Sequence, residues 1–221
     1  SELVRFEGRA GNFTATIRKN PRYVDESLCT GCGLCVIDCP VIVPNEFEIG
    51  MGARKAIYSP FPQAVPNTYI IDREQCLNDD FLVCNNCAKT CDRNAINYDD
   101  RPREIQLKVG SAILATGFDL FDSRRIPQYG YGRLANVFTS LEFERLSNAA
   151  GPTGGKVVLR DGVTVPQSVG IVHCAGSRDR NYNKYCSAIC CMQSLKFAHL
   201  VKERTGARVY NCYIDIRTPA K

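Results

Sequence analysis

The residues of this chain best suited to chemistry are its cysteines. Four of them, Cys29, Cys32, Cys35 and Cys39, stand three, three and four positions apart, and Pro40 follows the last. Thiolates at such short spacing let one loop reach three corners of a cubane of iron and sulfide. The run therefore predicts an iron–sulfur site, whose task is the movement of single electrons.

This spacing is that of the bacterial ferredoxin run C-x2-C-x2-C-x3-C-P, whose fourth cysteine serves a second cluster. A second group of four cysteines does follow, at positions 76, 84, 87 and 91. The crossed pattern predicts one [4Fe-4S] cluster on Cys29, Cys32, Cys35 and Cys91. It predicts another on Cys39, Cys76, Cys84 and Cys87. Zinc is the alternative, although zinc sites rarely use two interleaved quartets.

The second group departs from the ferredoxin pattern in two ways. Seven residues rather than two separate Cys76 from Cys84, and Asp92 stands where a second proline is usual. Cys76 is therefore the ligand that fits the pattern least well. The 36 residues between Cys39 and Cys76 exceed a minimal ferredoxin. They are expected to form a surface excursion that docks elsewhere.

Four later cysteines predict a third cluster. Cys174 ends a predicted strand, and Cys186 and Cys190 are four apart on one face of a predicted helix, with Cys191 beside them. A strand end and the next helix start meet at one edge of a parallel sheet, and a helix N-terminus favours an anionic cluster. Redox-active thiols and buried structural thiols are the alternatives.

The elements that must position these cysteines indicate an α/β chain. Alternation predicts a hairpin or β-meander over residues 2–18, and TSLEFERLSN predicts a short helix. Buried strands are predicted over 106–117 and 168–174, a helix over 186–204 ended by Gly206, and a strand over 207–216. The last three elements make a βαβ unit and hence a parallel sheet. The cysteine-rich block thus interrupts an α/β domain.

Composition limits the setting of the protein. The 221 residues include 13 cysteines, an odd number that argues against a pure disulfide framework. Because thiolates bind metal only while reduced, a cytoplasmic location is expected. The net charge of +5 is dispersed and indicates a solvated surface, so no nucleic-acid partner is expected. No apolar run is long enough to span a membrane.

Weaker motifs add little chemistry. VGSAILATGFD closes a hydrophobic strand on small residues, which suits either close approach to a cofactor or a tight turn. The dinucleotide fingerprint G-x-G-x-x-G is absent, and GPTGGK indicates a hinge because it lacks the phosphate-loop spacing. His173 and His199 are expected to be structural, and Cys212 to be a small core residue.

Several longer stretches resemble the A-subunit of heterodisulfide reductase, an iron–sulfur flavoprotein of methanogenesis. They are GNFTATIRKNPRYVD, the ferredoxin block with YSPFPQAVPNTYIID, AILATGFDLFD, YGYGRLANVFTSLEFERLSNAAGPTGG and HCAGSRDRNYNKYCSAICCMQSLKFA. The resemblance covers most of the chain. It implies a partial α/β thioredoxin-reductase-like flavoprotein domain with an inserted two-cluster ferredoxin (α+β) domain.

The resemblance also implies a division of the chain. Residues 1–22 would belong to the flavin domain as a β-meander, and residues 23–100 to the inserted ferredoxin. Residues 101–150 would return to the flavin domain with the ATG strand, and residues 151–221 would form the βαβ segment with the third cluster. Family members begin with a further cluster domain and the dinucleotide fingerprint, so this chain is expected to be an internal segment.

The resemblance assigns roles to particular residues. It places an additional cubane near the flavin on Cys174, Cys186, Cys190 and Cys191. It implies that the strand end Ala115, Thr116, Gly117 and Phe118 contacts FAD. Lys196 is similar to a lysine near the isoalloxazine ring, where a cation stabilises reduced flavin. The alternative for Lys196 is a solvated helix lysine.

The implied function is that of an oxidoreductase subunit with three [4Fe-4S] clusters and FAD. The flavin would take two electrons and split them, one toward soluble ferredoxin and one toward a disulfide-type acceptor. Expected partners are other heterodisulfide-reductase-type subunits and a hydrogenase or formate dehydrogenase module. Two alternatives stay open: a non-catalytic wiring module between partner oxidoreductases, and a redox sensor that uses Cys190 and Cys191.

Overall fold

The structure, a computed structural model, describes residues 1–78 and 82–218. It divides the chain into two compact units, one from Ser1 to Gly117 and one that begins at Phe118. Each unit has a hydrophobic core of its own. The domain boundaries predicted at residues 22, 100 and 150 stay predictions.

The first unit consists of short elements around one longer sheet. Its elements are β1 Glu2–Arg9, β2 Asn12–Lys19, α1 Leu34–Ile37, β3 Val43–Pro44, β4 Ala53–Arg54, β5 Ile57–Tyr58, β6 Ile70–Ile71, α2 Asn86–Thr90 and β7 Arg103–Val109, with a 3-10 turn at Glu46–Glu48. β1 and β2 form the predicted hairpin, and β7 pairs antiparallel with β2 in the order β1-β2-β7.

The predicted strand over residues 106–117 is wrong at its second half. β7 ends at Val109, whose partner is Phe13, and the last hydrogen bond runs from the Gly11 amide to the Gly110 carbonyl at 3.0 Å. Since β2 begins at Asn12, no partner strand remains beyond that point. Residues 110–117 have no regular secondary structure and are exposed rather than buried.

The cysteine-rich block leaves this sheet and returns to it at one place. Val24 and Ile96 form an antiparallel bridge. The Asp25 amide donates to the Ala95 carbonyl at 2.7 Å, and the Asn97 amide donates to the Tyr23 carbonyl at 2.9 Å. Because β2 precedes the block and β7 follows it, the block is inserted between two strands of one sheet.

The core of the first unit is built from the cysteines and from the excursion between them. Ala56, Ile57 and Ile71 are buried and pack in one cluster with Cys39 and Cys87. The prediction that this excursion docks elsewhere is therefore wrong. Its apolar side chains fold back onto the cysteines, because burying them there contributes about 25 cal/mol per Å² of apolar surface removed from water.

The second unit contains the predicted parallel unit. Its elements are 3-10 turns at Ser123–Arg125 and Pro127–Tyr129, α3 Ser140–Ser147, β8 Ser168–Val172, α4 Cys190–Thr205 and β9 Arg208–Cys212. β8 and β9 pair in parallel from Ser168↔Arg208 to Val172↔Cys212, which confirms the βαβ prediction. Both strands alternate between exposed and half-buried residues, so the expectation of a fully buried strand at β8 is wrong.

Both helices of the second unit have well-defined ends. Thr139 caps α3 by a reciprocal pair of hydrogen bonds with Glu142, and the predicted helix is confirmed. α4 ends at Gly206, which adopts a left-handed φ of 70° as predicted. Val201 of α4 is fully buried against Val157 and Ala207. Among the helices of the described residues, none has the length and apolar character of a membrane span.

Candidate metal centres

The first predicted quartet surrounds one space in the core of the first unit. A cavity of about 170 Å³ is lined by the thiols of Cys29, Cys32, Cys35 and Cys91. Cys29 and Cys32 come from the loop before α1, Cys35 lies in α1, and Cys91 caps the C-terminus of α2. Gly31 has a φ of 71° and a Cβ at its position would lie 2.7 Å from the Asn67 carbonyl oxygen, so the loop requires glycine there.

The second predicted quartet surrounds a neighbouring space. Cys39, Cys76, Cys84 and Cys87 line a smaller cavity of about 20 Å³, together with Ile57 and Ile71. Cys39 lies just after α1, and Cys87 lies within α2. α1 and α2 contact each other. Cys35 of α1 lines the cavity of the first quartet and Cys87 of α2 that of the second, as the crossed pattern predicts. Because this space is small, a cubane would have to separate the four thiols slightly.

The loop that brings Cys76 to its quartet is held by Asn78. The Asn78 amide donates to the Cys76 sulfur at 3.4 Å, and its side-chain nitrogen donates to the Cys84 carbonyl at 2.7 Å. Asn78 and Val83 also form a short antiparallel bridge. Despite the long spacing between them, Cys76 and Cys84 line the same cavity.

The environment of these thiols suits a metal cluster, whose iron ions supply positive charge among them. Burial raises the pKa of Cys35 to about 12, and the charges of Cys87, Cys29, Cys32 and Cys91 add to the rise. Burial likewise raises the pKa of Cys87, although a hydrogen bond from Tyr98 opposes the rise. Thiolates gathered so closely need cations among them, since metal binding releases their protons and removes their mutual repulsion. The donor sets therefore fit [4Fe-4S] clusters.

Binding of a single metal ion would require side chains that converge on one point. In the part of the chain that the structure describes, no three Cys, His, Asp or Glu side chains converge so as to hold one metal ion. The four thiols of each quartet instead surround a shared space. Ligation of clusters by the twelve predicted cysteines stays a prediction.

The third cysteine set lies in the second unit, but its local structure differs from the prediction. α4 begins at Cys190, so Cys186 precedes the helix and does not share a face with Cys190. The helix cannot extend back through Ala188, whose φ of 59° is left-handed. Cys174 follows β8, also with a positive φ, of 56°.

Cys174 and Cys190 lie together at the edge of the βαβ unit. They line a cavity of about 380 Å³ whose other walls are largely apolar, among them Phe121, Phe138 and Phe197. Burial and the charge of Cys190 raise the pKa of Cys174. Burial also acts to raise the pKa of Cys190, but hydrogen bonds from the Cys174 backbone and from Ser187 outweigh it, and the pKa is lowered.

The other two members of the set point to backbone donors. The buried Cys191 sulfur accepts from the Arg217 amide at 3.3 Å, and the Cys186 sulfur accepts from the Ala188 amide at 3.4 Å. Backbone N–H groups directed at sulfur are typical of the surroundings of cluster ligands. The strand end and helix start do bring Cys174 and Cys190 together, and Cys191 follows in the first turn of α4.

The predicted flavin residues are exposed. Ala115, Thr116, Gly117 and Phe118 lie in an irregular, exposed segment. Lys196 lies on α4 and its Nζ forms an ion pair with Glu144 of α3 at 2.6 Å. Both assignments stay predictions, and the ion pair is the arrangement expected of the alternative, a solvated helix lysine.

Three further expectations are tested by burial. Cys212 is exposed, so its assignment as a core residue is wrong; its register on β9 opposite Val172 places it on the uncovered face. His173 is buried, with its Nε2 at 3.0 Å from the Asn211 Oδ1, as a structural histidine would be. His199 is exposed and lies 3.6 Å from Glu203.

Comparison with known proteins identifies the chain's relatives. Residues 22–41 match the 4Fe-4S binding domain family. The iron-sulfur A-subunit of CoB–CoM heterodisulfide reductase from Methanocaldococcus jannaschii is 50% identical over 223 residues, 100% of this chain and 33% of that protein. The A-subunit of ferredoxin:CoB-CoM heterodisulfide reductase from Methanosarcina mazei is 40% identical over 220 residues, 98% of this chain and 27% of that protein.

The chain is homologous to a segment of the heterodisulfide reductase A-subunit. The predicted family resemblance is thereby confirmed, and a ferredoxin-like 4Fe-4S domain is present. In a third relative, from Methanothermobacter marburgensis, the A-subunit of H2:CoB-CoM heterodisulfide,ferredoxin reductase is 46% identical over 225 residues, 100% of this chain and 33% of that protein. The chain spans about a third of the length of these heterodisulfide reductase subunits.

Sequence reasoning missed one residue beside the second quartet. The Tyr98 hydroxyl lies 3.0 Å from the Cys87 sulfur. Burial raises the pKa of Tyr98 far above its ordinary value, and the hydrogen bond to Cys87 adds to the rise. The sequence around Tyr98, NYDD, carries no motif that could have indicated this contact with the second quartet.

Proposed function

We propose that this chain is an electron-transfer segment of a heterodisulfide-reductase-type oxidoreductase. It would carry three [4Fe-4S] clusters and take part in the FAD-based bifurcation of electrons. The observation that carries the proposal is the pairing of the cysteines. The two crossed quartets line two adjacent cavities of one core, each quartet its own cavity.

The residues of the first unit would hold two clusters close to each other in one core. A bound [4Fe-4S] cluster supplies one-electron transfer at a potential set by its surroundings. Cys35, Cys39 and Cys87 are buried, and Ile57 and Ile71 cover the second quartet. Two neighbouring sites in one packed core suit the relay of single electrons.

The second unit supports a third cluster beside an apolar cofactor site. Its parallel βαβ unit agrees with a partial thioredoxin-reductase-like flavoprotein domain, and the cavity lined by Cys174 and Cys190 is largely apolar. FAD would supply the conversion between two-electron and one-electron transfer. Cys186 and Cys191 would complete the cluster, with Lys196 and residues 115–118 as candidate flavin contacts.

The names of the relatives suggest the partners. One relative is named for H2 and ferredoxin, another for H2 or formate and ferredoxin, and a third for ferredoxin alone. We therefore assign to this chain other heterodisulfide-reductase-type subunits, a hydrogenase or formate dehydrogenase module and soluble ferredoxin as partners, with a disulfide as final acceptor. Reduced thiolate ligands favour a cytoplasmic location.

A wiring module without flavin chemistry is the second candidate. It is favoured by the ion pair between Lys196 and Glu144 and by the exposure of Phe118, one of the residues proposed to contact flavin. In that case the chain would only pass electrons between partner oxidoreductases. The two ferredoxin-type clusters would be present, and the third cluster and flavin would be missing.

The test is the content of iron, sulfide and flavin in the anaerobically purified chain and in matched variants. The proposal expects about 12 irons per chain with one flavin. Cys39→Ala and Cys174→Ala should each lose about 4 irons, whereas the exposed Cys212→Ala control should lose none. About 8 irons without flavin would support the wiring module, and fewer than about 8 would refute the cluster relay.

A further inference from the structure

The two ferredoxin-type quartets have different hydrogen-bonding surroundings. Both have a backbone amide directed at a sulfur: the Ala95 amide donates to Cys91 at 3.4 Å, and the Asn78 amide donates to Cys76 at 3.4 Å. The second quartet has in addition the Tyr98 hydroxyl, 3.0 Å from the Cys87 sulfur. Among the described hydrogen bonds, this contact from a phenol to a sulfur belongs to the second quartet.

The direction of this hydrogen bond follows from the chemistry of the ligand. A cysteine that binds iron is a thiolate, which has no proton and can only accept. The Tyr98 hydroxyl must then donate its proton to the Cys87 sulfur. The proton stays on the phenol oxygen, because a phenolate beside the negative thiolate would be repelled.

The positive charge of Arg73 lies close to Tyr98. The Arg73 guanidinium carbon lies 5.6 Å from the centre of the Tyr98 ring and 5.5 Å from that of Tyr23. Arg73 also donates to the Asn78 side-chain oxygen at 3.3 Å. The guanidinium thus lies beside the phenol that reaches the second quartet and bonds the residue whose amide donates to Cys76.

The tyrosine beside the first quartet differs in this respect. Tyr69 packs against the same core, and its pKa is raised by burial and by the charges of Cys35, Cys32 and Cys29. Tyr69 lines the cavity of the first quartet, and among the described hydrogen bonds none joins its hydroxyl to a sulfur. Tyr69 is therefore a natural control for Tyr98: both are half-buried phenols beside a quartet, and only Tyr98 donates to sulfur.

We propose that Tyr98 donates a hydrogen bond to the Cys87 thiolate and raises the reduction potential of the cluster on the second quartet above that of the first. This inference rests on the proposed function. On reduction by a one-electron donor the cluster gains one electron and one negative charge, no bond breaks, and the proton stays on the Tyr98 oxygen. A hydrogen bond to sulfur stabilises the more negative, reduced form. The second quartet is then the electron-accepting end of the pair.

The test is a redox titration, followed by electron paramagnetic resonance, of the anaerobically purified full chain with dithionite as reductant. Parent, Tyr98→Phe and Tyr69→Phe proteins are compared after their iron contents are matched. Tyr98→Phe should lower the potential of the second cluster so that its ratio of reduced to oxidised form at the parent midpoint falls about tenfold, a shift of about 59 mV. Tyr69→Phe should leave both ferredoxin-type potentials unchanged.

Cysteine variants assign the signals and separate the possible failures. Cys91→Ala retains the second cluster and Cys39→Ala retains the first, so the parent potentials can be ordered even if Tyr98→Phe fails to assemble. A higher potential for the cluster retained in Cys91→Ala supports the inference. An unchanged potential in Tyr98→Phe, or the reverse order, overturns it while the relay stands. Absence of both clusters from the parent protein instead refutes the proposed function.

Discussion

Replacing Arg54 by methionine should loosen the excursion that covers the second quartet. The Arg54 side chain is only 6% exposed, and its guanidinium donates to Glu46 at 2.6 Å and to Asp72 at 2.7 Å. It also lies 4.0 Å from the centre of the Tyr58 ring. Glu46 lies between β3 and β4, and Asp72 directly follows β6. The Arg54 side chain therefore links the β3–β4 hairpin of the excursion to the β5–β6 hairpin.

The size of the effect follows from the exposure of the two partners. Breaking a fully buried ion pair costs about 3–5 kcal/mol. Glu46 is 70% exposed and regains water in the variant, so its share is that of a surface pair, about 0–1 kcal/mol. Asp72 is 19% exposed and would be left with an unpaired carboxylate, which costs about 1–3 kcal/mol. We expect the free energy of opening to fall by about 2–3 kcal/mol, because methionine retains the apolar packing of the arginine stem.

Amide hydrogen exchange measures this opening without unfolding the clusters. The Asn45 amide donates to the Gly52 carbonyl and the Asp72 amide to the Ala56 carbonyl, both at 2.8 Å, and both bonds close the excursion. A loss of about 2.8 kcal/mol makes exchange at these amides about 100-fold faster, since about 1.4 kcal/mol corresponds to a factor of ten. Amides of Arg103–Val109 should exchange as in the parent.

The matched control is Arg101→Met, which removes an exposed arginine 3.9 Å from Asp99. A surface pair of this kind contributes little, so exchange in the excursion should stay within about threefold of the parent. Exchange at Asn45 and Asp72 that is no faster in Arg54→Met than in this control would refute the role of Arg54 in joining the excursion.

The remaining predictions concern other contacts of the same two units. Thr139→Ala removes the capping box with Glu142 and should destabilise the second unit by about 1 kcal/mol in hydrogen exchange of α3; an unchanged rate would contradict the cap. Ile57→Ala leaves a cavity at a site 1% exposed and should cost about 2–5 kcal/mol, seen as faster loss of iron to a chelator. The hydrogen bond from Arg54 lowers the pKa of Glu46, so this pair stabilises the excursion above the ordinary glutamate pKa and is lost as pH falls through the lowered value. The difference in exchange between parent and Arg54→Met should therefore shrink in acid, and a constant difference would count against the pair.

The local features of the chain could be predicted from sequence because they depend on neighbouring residues. The cysteine run, the hairpin at β1 and β2 and the cap at Thr139 all involve short separations. The βαβ unit was likewise predictable, since the order of strand, helix and strand allows few topologies. Where a single backbone angle decided the outcome, prediction failed: α4 begins at Cys190 because Ala188 is left-handed.

Contacts between distant residues were not predictable in this way. The strand predicted over residues 106–117 stops at Val109 because its partner strand β2 begins at Asn12. The sequence of β7 itself gives no sign of where that partner begins. The excursion packs onto the cysteines because Ile57 and Ile71 meet them in space. Cys212 is apolar in character but exposed, because its register places it on an uncovered face.

The available thiols, their spacing and the family they resemble all follow from the amino-acid sequence. The groups that surround those thiols follow instead from the packing of residues far apart in the chain. After α2 the chain folds back, and Ile96 forms a bridge with Val24. This turn brings the Tyr98 hydroxyl to the Cys87 sulfur. Spacing specifies which ligands one loop can offer, whereas the hydrogen bonds and burial that tune a cluster arise from residues brought together by packing.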